Sequence, residues 1–304
     1  MHQHLLGIDW GTSNRRAYLI DAAGTCLATY EDEQGMLAAR GRFADSLGQL
    51  LHTMHVAAHV PVVMSGMVGS AHGWREVPYL DTSVALDALP TKLVRLDGHE
   101  LGRDCLIVPG YCQRTGGIDV MRGEETQLLG ALALGQRDGW VVLPGTHSKW
   151  VLLQGGVIAR LSTFMTGELF AVLAAHGTLA PLMSEDGGND NGDTAAFEAG
   201  TKEARLRAPL TNALFRVRAR VVAGAMPASA AREFVSGLLI GTEFVAALDA
   251  AGSDCTESVS LIASAALHQR YARAAALFGV SAHQLDAQRV YCAALSQFFH
   301  KVSA

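Results

Sequence analysis

The sequence predicts a two-domain α/β protein, with duplicated mixed sheets flanked by helices and a cleft between the domains. Its 304 residues suffice for two domains of ordinary size. Apolar residues make up 49% of the chain and charged residues 17%, which is enough apolar surface for a sizeable core. A unit of strand, small polar turn, strand, glycine turn and strand occurs twice, and this repeat indicates duplicated domains.

The first copy of this unit begins the chain. Short apolar runs bounded by turn residues predict strands at Leu5–Asp9, Arg16–Asp21 and Thr25–Glu31. The segment DAAG joins the last two strands as a hairpin turn, because Gly24 can adopt a positive φ. Apolar spacing predicts a helix at 43–57, and VPVVMSGMVGS is typical of a strand that enters a glycine-rich loop.

The second copy follows a connecting segment. That segment contains a strand at 105–108, the loop PGYCQRTGGIDVMRG and a helix at 124–134. Two acids in the first turn of this helix suit the positive end of its dipole. The second copy has strands at 140–143, 149–154 and 157–163, with PGTHS as its polar turn and GG as its hairpin turn.

Helices dominate the rest of the chain. They are predicted at 168–175, 195–208, 230–250 and 287–300, and a strand, a small-residue turn and a helix are predicted within SVSLIASAALHQRYARAAALFG. The polar stretch MSEDGGNDNGDT lacks the spacing and the final Glu of a calcium loop, so we expect a surface loop. The predicted domains are 1–136 with the helix at 287–304, and 137–286.

The composition argues against several classes of protein. A net charge of −5 without a basic run gives no indication of nucleic-acid binding. The five cysteines form no CxxC pair and are odd in number, which favours buried free thiols in a reducing cytoplasm. The N-terminus lacks the basic region of a signal peptide, and FVSGLLIGTEFVAALDA is expected to fall short of a membrane span. We therefore expect a cytoplasmic protein.

Three histidines form a possible metal site. His52, His55 and His59 are spaced so that they would share one face of a helix. No carboxylate or cysteine lies near them in the sequence. A solvated polar face is therefore the preferred interpretation.

The polar turns of the two copies are candidate phosphate sites. Small residues let backbone N–H groups converge into a nest that suits phosphate oxygens. Asp9 lies at the first turn, where its carboxylate could hold Mg²⁺ through water. Neither the Walker A pattern nor GxGxxG is present. The residues proposed to contact the phosphates are Gly11, Thr12 and Ser13 in the first turn and Gly145, Thr146, Ser148 and Lys149 in the second. For Lys149, a solvated charge on the strand is the alternative.

Several motifs resemble a known family. GIDWGTSNRRAYL and LPGTHSKWV resemble the two phosphate motifs of the sugar kinase, heat-shock chaperone and actin superfamily. SGMVGSAHGWREVPYL, DVMRGEETQLLGAL and STFMTGELFAVL narrow the resemblance to the 2-dehydro-3-deoxygalactonokinase family.

This resemblance implies a ribonuclease H-like, actin/hexokinase-like fold. It also implies transfer of the ATP γ-phosphoryl group, with Mg²⁺, to the 6-hydroxyl of 2-dehydro-3-deoxy-D-galactonate in galactonate breakdown. The first domain would bind the sugar acid and the second the nucleotide. A kinase for another sugar acid or ketose, such as 2-dehydro-3-deoxygluconate, and an actin- or chaperone-like ATPase remain alternatives. The oligomeric state is open, with a homodimer as one option.

The resemblance also suggests a catalytic base. Related sugar kinases place an Asp after a Gly at the start of a helix between the two phosphate motifs, and Gly123 is followed here by Glu124. Glu124 is therefore the first candidate, with Asp119 and Glu125 behind it. Ordinary helix-capping acids are the alternative.

The remaining candidates concern the substrates. An anionic sugar acid calls for cations, and Arg122 and Arg16 are favoured because the guanidinium group matches a carboxylate. Side chains alternate along a strand, so Arg15 and Arg16 lie on opposite faces. Only one of them can therefore bind the sugar-acid carboxylate. The other expected sugar-acid contacts are Ser65, Gly66, Thr166 and Glu168, and the expected nucleotide contacts are Gly237 and Ala263. Family members usually carry a glycine near Ala263, so the adenosine contacts are expected to differ.

Overall fold

The protein is described here by a computed structural model. The structure describes residues 2–98, 101–183, 190–251 and 257–302, with the backbone alone at 190–193. Cys255 and residues 184–189 of the predicted surface loop lie outside the described residues. The end of that loop was predicted wrongly, because a helix begins at Asp190.

The chain divides into two compact units. The first contains residues Met1–Asp138, Leu152–Leu161 and Leu285–Ala304, and the second contains Gly139–Val151 and Ser162–Gln284. The hairpin end at 152–161 thus groups with the first unit rather than with the strands that lead into it. Which unit binds which substrate stays a prediction.

The strands form three sheets. In chain order they are β1 His4–Trp10, β2 Arg15–Asp21, β3 Cys26–Asp32, β4 Val62–Gly66, β5 Leu80–Asp81, β6 Val94–Arg95, β7 Cys105–Ile107, β8 Tyr111–Gln113, β9 Asp119–Met121, β10 Gly139–Leu143, β11 Ser148–Gln154, β12 Val157–Phe164, β13 Ser258–Ile262 and β14 Ser281–Leu285. The first sheet has the order β3-β2-β1-β4-β7-β6 and another the order β12-β11-β10-β13-β14, while β5, β8 and β9 form a small third sheet.

Two sheets share one strand order. In each, a hairpin of three strands is extended on the side of its first strand by strands from later in the chain, three in the first sheet and two in the other. β1 runs antiparallel to β2 and parallel to β4. This duplicated order confirms the predicted α/β class and is the order expected of a ribonuclease H-like fold.

The helices are, in chain order, α1 Met36–Ala39, α2 Phe43–Thr53, α3 Glu124–Ala133, α4 Thr166–Ala175, α5 Asp190–Ala204, α6 Leu210–Val222, α7 Ala231–Ala251, α8 Ala265–Leu277 and α9 Ala287–Val302. The sequence reasoning missed α6. It also extended α2 too far: because α2 ends at Thr53, His55 and His59 lie beyond it and the three histidines do not share a helix face.

The core of the first unit forms around β1. Leu6, Ile8 and Trp10 are fully buried, and they pack with apolar residues of α2 and β4. A central strand covered on both faces reads as an almost continuous apolar run, which is why β1 could be predicted from sequence. On another side of this unit, α3 and α9 cross so closely that a Cβ atom on Gly130 would lie 1.8 Å from the Val290 carbonyl oxygen.

The core of the second unit includes a close crossing of α5 and α7. A Cβ atom on Gly200 would lie 2.0 Å from the Phe234 carbonyl oxygen, and one on Gly237 would lie 1.9 Å from that of Phe197. Glycine at both positions therefore lets the two backbones touch.

Residues 228–251 are long and apolar enough to cross a membrane by length and composition, with a mean hydropathy of 1.5. We expected FVSGLLIGTEFVAALDA to be too short to span a membrane, and this expectation was wrong about the length of the helix. Within its most apolar window of 18 residues, 67% is buried inside the protein. The core helix of a globular domain has the same properties.

Candidate active site

In the first unit, Asp9 lies at the end of the central strand. Strand pairing places it opposite Arg16 of β2 and Ser65 of β4. Burial raises the pKa of Asp9 to about 6. The positive charge of Arg16 opposes this rise in pKa, whereas the negative charges of Glu124 and Glu31 add to it. Asp9 is thus an acid in a charged, partly buried setting, as is typical of functional carboxylates.

The turn after Asp9 presents backbone N–H groups on its exposed side. The carbonyl oxygens of Gly11, Thr12 and Ser13 accept hydrogen bonds of 2.8–3.1 Å from backbone N–H groups at 35–37. Across a trans peptide, the carbonyl and the next N–H point in opposite directions, and the described residues contain no cis peptide. The N–H groups at 12–14 therefore point away from that segment, on the side where the turn is exposed. Successive amides can form a nest for phosphate. The phosphate contacts of Gly11, Thr12 and Ser13 stay predictions.

The start of α3 lies beside Asp9. A Cβ atom on Gly123 would lie 3.2 Å from the Cα of Gly66 and 3.9 Å from Oδ1 of Asp9. Gly66 itself has φ +91°, and a Cβ atom there would lie 2.7 Å from the carbonyl oxygen of Trp10. Glycine is required at both positions, because they let the end of β4 and the beginning of α3 approach β1.

Two adjacent acids begin α3, and they differ in environment. Glu124 is partly exposed, and its Oε2 accepts a hydrogen bond of 3.1 Å from the backbone N–H of Arg122. Glu125 is fully buried, and its Oε2 accepts a bond of 2.7 Å from the N–H of Gly123. Burial, helped by the charge of Glu124, raises the pKa of Glu125 to about 8. Of the two, Glu124 is the acid that a substrate can reach.

Asp119 lies at the far end of β9 from α3. Its Oδ1 accepts a hydrogen bond of 2.7 Å from the N–H of Val120. The side-chain charges that shift the pKa of Asp9 come from Arg16, Glu124 and Glu31. The geometry therefore favours Glu124 over Asp119 as the candidate base, and the assignment stays a prediction.

The two arginines after the first turn face opposite ways, as alternation requires. The Arg15 side chain is 2% exposed and forms an ion pair of 2.6 Å with Asp32. Arg16 is 49% exposed and pairs with Glu31 at 3.0 Å. Of the two arginines, Arg16 is therefore the one whose side chain can contact a bound substrate.

Arg122 is held against the loop after β4. Its Nη2 donates 2.7 Å to the carbonyl oxygen of Val77, and its guanidinium lies 4.2 Å from the ring centre of Tyr79. Nε and Nη1 are buried without a hydrogen-bond partner among the described residues. Unsatisfied buried donors are uncommon, and an anionic partner would satisfy these two.

The side chain of Ser65 points toward α9. Its side chain is fully buried, and its hydroxyl shares a 2.9 Å hydrogen bond with the hydroxyl of Tyr291 on α9. A contact between this hydroxyl and the sugar acid is therefore weakly supported, and it stays a prediction.

In the second unit, α4 begins against the second polar turn. A Cβ atom on Gly167 would lie 2.3 Å from the carbonyl oxygen of Gly145. The N–H of Glu168 donates 2.9 Å to the Thr146 carbonyl, and its carboxylate lies 2.5 Å from Nε2 of His147. The positive end of the α4 dipole thus lies beside the exposed turn, a favourable place for an anion. The predicted contacts of Thr166 and Glu168 with the sugar acid stay predictions.

Ser148, the last residue of this turn, and Lys149, which follows it, point inward. The fully buried hydroxyl of Ser148 donates 2.6 Å to Glu243, so a phosphate contact would have to come from the backbone of Ser148. Lys149 is 6% exposed, and its Nζ donates 3.0 Å to the hydroxyl of Thr163. The alternative of a solvated Lys149 charge is therefore wrong.

A cavity of about 170 Å³ adjoins the second turn. The residues around it come from the turn, α4, α7 and α8, and they include Gly145, Thr166, Ser236, Leu239, Leu267 and Tyr271. Pockets for drug-sized ligands measure about 300–1,000 Å³, so this one has room only for a compact group.

The two predicted nucleotide contacts lie near this cavity without lining it. Gly237 is used in the crossing with α5, while its neighbour Ser236 faces the cavity. Ala263 is 8% exposed and directly follows β13. The next residue, Ser264, caps α8 by accepting a hydrogen bond from the backbone N–H of Leu267. Direct contact of Gly237 or Ala263 with a nucleotide stays a prediction.

Mg²⁺ would rely on few protein ligands. Within the described part of the chain, no three His, Cys, Asp or Glu side chains gather in one place. Mg²⁺ commonly binds through one or two carboxylates, waters and substrate phosphates, so Asp9 beside an anion-accepting turn fits this pattern.

Sequence reasoning missed Glu243, Tyr271 and His147. A signal existed for Glu243, since an acid within the apolar run FVSGLLIGTEFV must be buried and hydrogen-bonded if the helix is in the core. Tyr271 and His147 carried no comparable signal.

Comparisons with known proteins identify the family of this chain. The family model for 2-keto-3-deoxy-galactonokinase matches residues 9–298. A Rhizobium meliloti protein named as a probable 2-dehydro-3-deoxygalactonokinase is 39% identical over 95% of this chain and 94% of its own. The 2-dehydro-3-deoxygalactonokinase of Escherichia coli is 33% identical over the full length of both.

A solved structure supports the same family. A Sinorhizobium meliloti crystal structure that carries the name 2-dehydro-3-deoxygalactonokinase matches with a TM-score of 0.88 and 37% identity, covering 97% of this chain and 95% of its own. Family model, sequence and structure agree over nearly the whole length. The chain therefore belongs to the 2-keto-3-deoxy-galactonokinase family.

Proposed function

We propose that this kinase transfers the γ-phosphoryl group of ATP to the 6-hydroxyl of 2-dehydro-3-deoxy-D-galactonate, in the cytoplasm and with Mg²⁺. Family membership supports the sugar acid and ATP. The observation that carries the chemistry is the approach of α3 to β1, which brings Glu124 near Asp9 and the amide nest of the first turn.

In this proposal, Glu124 accepts the proton of the 6-hydroxyl while the hydroxyl oxygen attacks the γ-phosphorus. The bond from phosphorus to the bridging oxygen breaks, and ADP leaves with that oxygen. Positioning and charge stabilisation supply most of the rate enhancement in such reactions. Bound Mg²⁺, held by Asp9, would neutralise phosphate charge.

The two units would bind different substrates. Arg16 and Arg122 of the first unit would hold the carboxylate of the sugar acid, and the unsatisfied nitrogens of Arg122 support this role. The second unit would bind the nucleotide, with phosphates at the turn 145–148 and the base in the adjoining cavity.

A coupled assay of ADP release tests the proposal on a panel of sugar acids and ketoses. We expect saturable turnover with 2-dehydro-3-deoxy-D-galactonate and at least tenfold lower kcat/KM with 2-dehydro-3-deoxygluconate. Preference for another member of the panel would contradict the substrate. ATP hydrolysis that is independent of any sugar acid would favour the chaperone-like alternative.

A further inference from the structure

A buried carboxylate lies at the centre of the second unit. Glu243 of α7 is 2% exposed, and its two oxygens accept four hydrogen bonds. Oε1 accepts from the hydroxyl of Ser148 and from the indole N–H of Trp150, both at 2.6 Å. Oε2 accepts from the hydroxyls of Thr166 at 2.5 Å and Tyr271 at 2.8 Å. Every lone-pair direction of the carboxylate is thus used.

These four donors come from three elements around the proposed nucleotide site. Ser148 and Trp150 lie on β11 directly after the polar turn. Thr166 begins α4, the helix that packs on that turn, and Tyr271 belongs to α8. Thr166 and Tyr271 also line the cavity. One carboxylate therefore joins the turn to the cavity wall.

The helix that carries Glu243 forms another part of that wall. Ser236, Leu239 and Ile240 line the cavity from α7. Residues three, four and seven positions apart share one helix face, so Glu243 lies on the same face, one turn further along. The position of α7 against the cavity is thereby tied to the position of the turn.

We infer that Glu243 is a positioning residue for the nucleotide: its carboxylate fixes the phosphate turn, the start of α4 and the wall of the base cavity relative to one another. This inference rests on the proposed function. An acid buried without a partner is costly, whereas this one is fully hydrogen-bonded, and such a network specifies one arrangement of its donors.

Glu243→Gln perturbs the arrangement with little change in volume. The indole N–H of Trp150 can act only as a donor, so the amide oxygen must face Trp150 and Ser148. The amide NH₂ then faces Thr166 and Tyr271, whose hydroxyls must reverse from donating to accepting. The hydrogen bonds that Thr166 at the start of α4 and Tyr271 in the cavity wall now donate to residue 243 are therefore lost or reversed.

The test measures binding of ADP by calorimetry, together with KM for ATP and for the sugar acid, on the full chain. We expect Glu243→Gln to weaken ADP binding and raise KM for ATP at least tenfold, with KM for the sugar acid within twofold of wild type. The matched control is Glu203→Gln, since Glu203 is 8% exposed in the same unit but binds Arg220 on α6, away from the cavity. It should leave ADP binding within twofold.

Unchanged ADP affinity in Glu243→Gln, or an equal loss in Glu203→Gln, would overturn the inference. If Glu243→Gln does not fold, Trp150→Phe is measured instead, because it removes one hydrogen-bond donor to Glu243 without altering the cavity lining. A three- to tenfold loss of ADP affinity supports the inference. A change in ADP affinity below twofold overturns it. A wild-type chain that binds ADP but phosphorylates no sugar acid contradicts the proposed substrate alone. A wild-type chain that binds no ADP removes both proposals.

Discussion

The buried acid at the start of α3 makes the stability of the first unit depend on pH. Glu125 is fully buried, and its pKa rises from an ordinary 4.5 to about 8 in the folded chain. Between these two values the folded state holds a proton that the unfolded state has released. The free energy of unfolding therefore falls as pH rises from 4.5 to 8, by up to ~1.4 kcal/mol per pH unit.

Glu125→Gln removes this dependence, because an amide does not titrate in this range. Over the interval from pH 5 to pH 7 the carboxyl costs the folded state about 2.5 kcal/mol. We therefore expect the mutant, relative to wild type, to gain about that amount of stability between those two pH values, whatever their difference at pH 5.

Hydrogen exchange of the α3 amides measured at pH 5, 6, 7 and 8, corrected for the intrinsic pH dependence of exchange, reports this free energy locally. A carbon-13 titration of the Glu125 carboxyl reports its pKa directly. Glu198→Gln is the control, since Glu198 forms only a half-exposed pair of 3.6 Å with Lys202. Such a pair contributes about 0.5 kcal/mol or less. Parallel curves for wild type and Glu125→Gln, or a midpoint near 4.5, would refute the reasoning.

Further predictions concern the site of the first unit. Asp9→Asn should lower kcat at least a hundredfold with the melting temperature within a few degrees of wild type; near-normal turnover would exclude Asp9 from the reaction. Glu124→Gln should lower kcat by about 10²–10⁴-fold with KM for ATP nearly unchanged, the range for loss of a general base; if Asp119→Asn does this instead, Asp119 is the base. Gly66→Ala should destabilise the chain by more than about 1 kcal/mol in urea unfolding, because of its positive φ and its contact with Trp10; unchanged stability would contradict the need for glycine.

Much of the fold could be predicted from the sequence because the repeat is local. Buried central strands such as β1 and β10 are apolar runs that end in small polar turns, and both properties are visible in the sequence. The small sheet of β5, β8 and β9 could not be predicted in this way. Its strands are two or three residues long, too short for a period to be recognised.

The site could be predicted in part, for a physical reason. Turns with small polar residues can be recognised by composition, so Asp9 and the turn at 145–148 could be proposed from the sequence alone. The direction of a side chain depends on the tertiary partner, so the inward orientation of Ser148 toward Glu243 and of Ser65 toward Tyr291 could not be read from their neighbours in the chain.

The crossing of α3 with α9 has a consequence for biosynthesis. The first unit takes its early strands and α3 from the N-terminal half of the chain, yet its α9 is synthesised about 150 residues after α3. At about 5–20 residues per second, the ribosome needs roughly 7–30 s to synthesise the segment in between. During that interval the nascent chain exposes the apolar face that α9 will cover. A holding chaperone on the emerging polypeptide should therefore improve the yield of this protein more than one added after release.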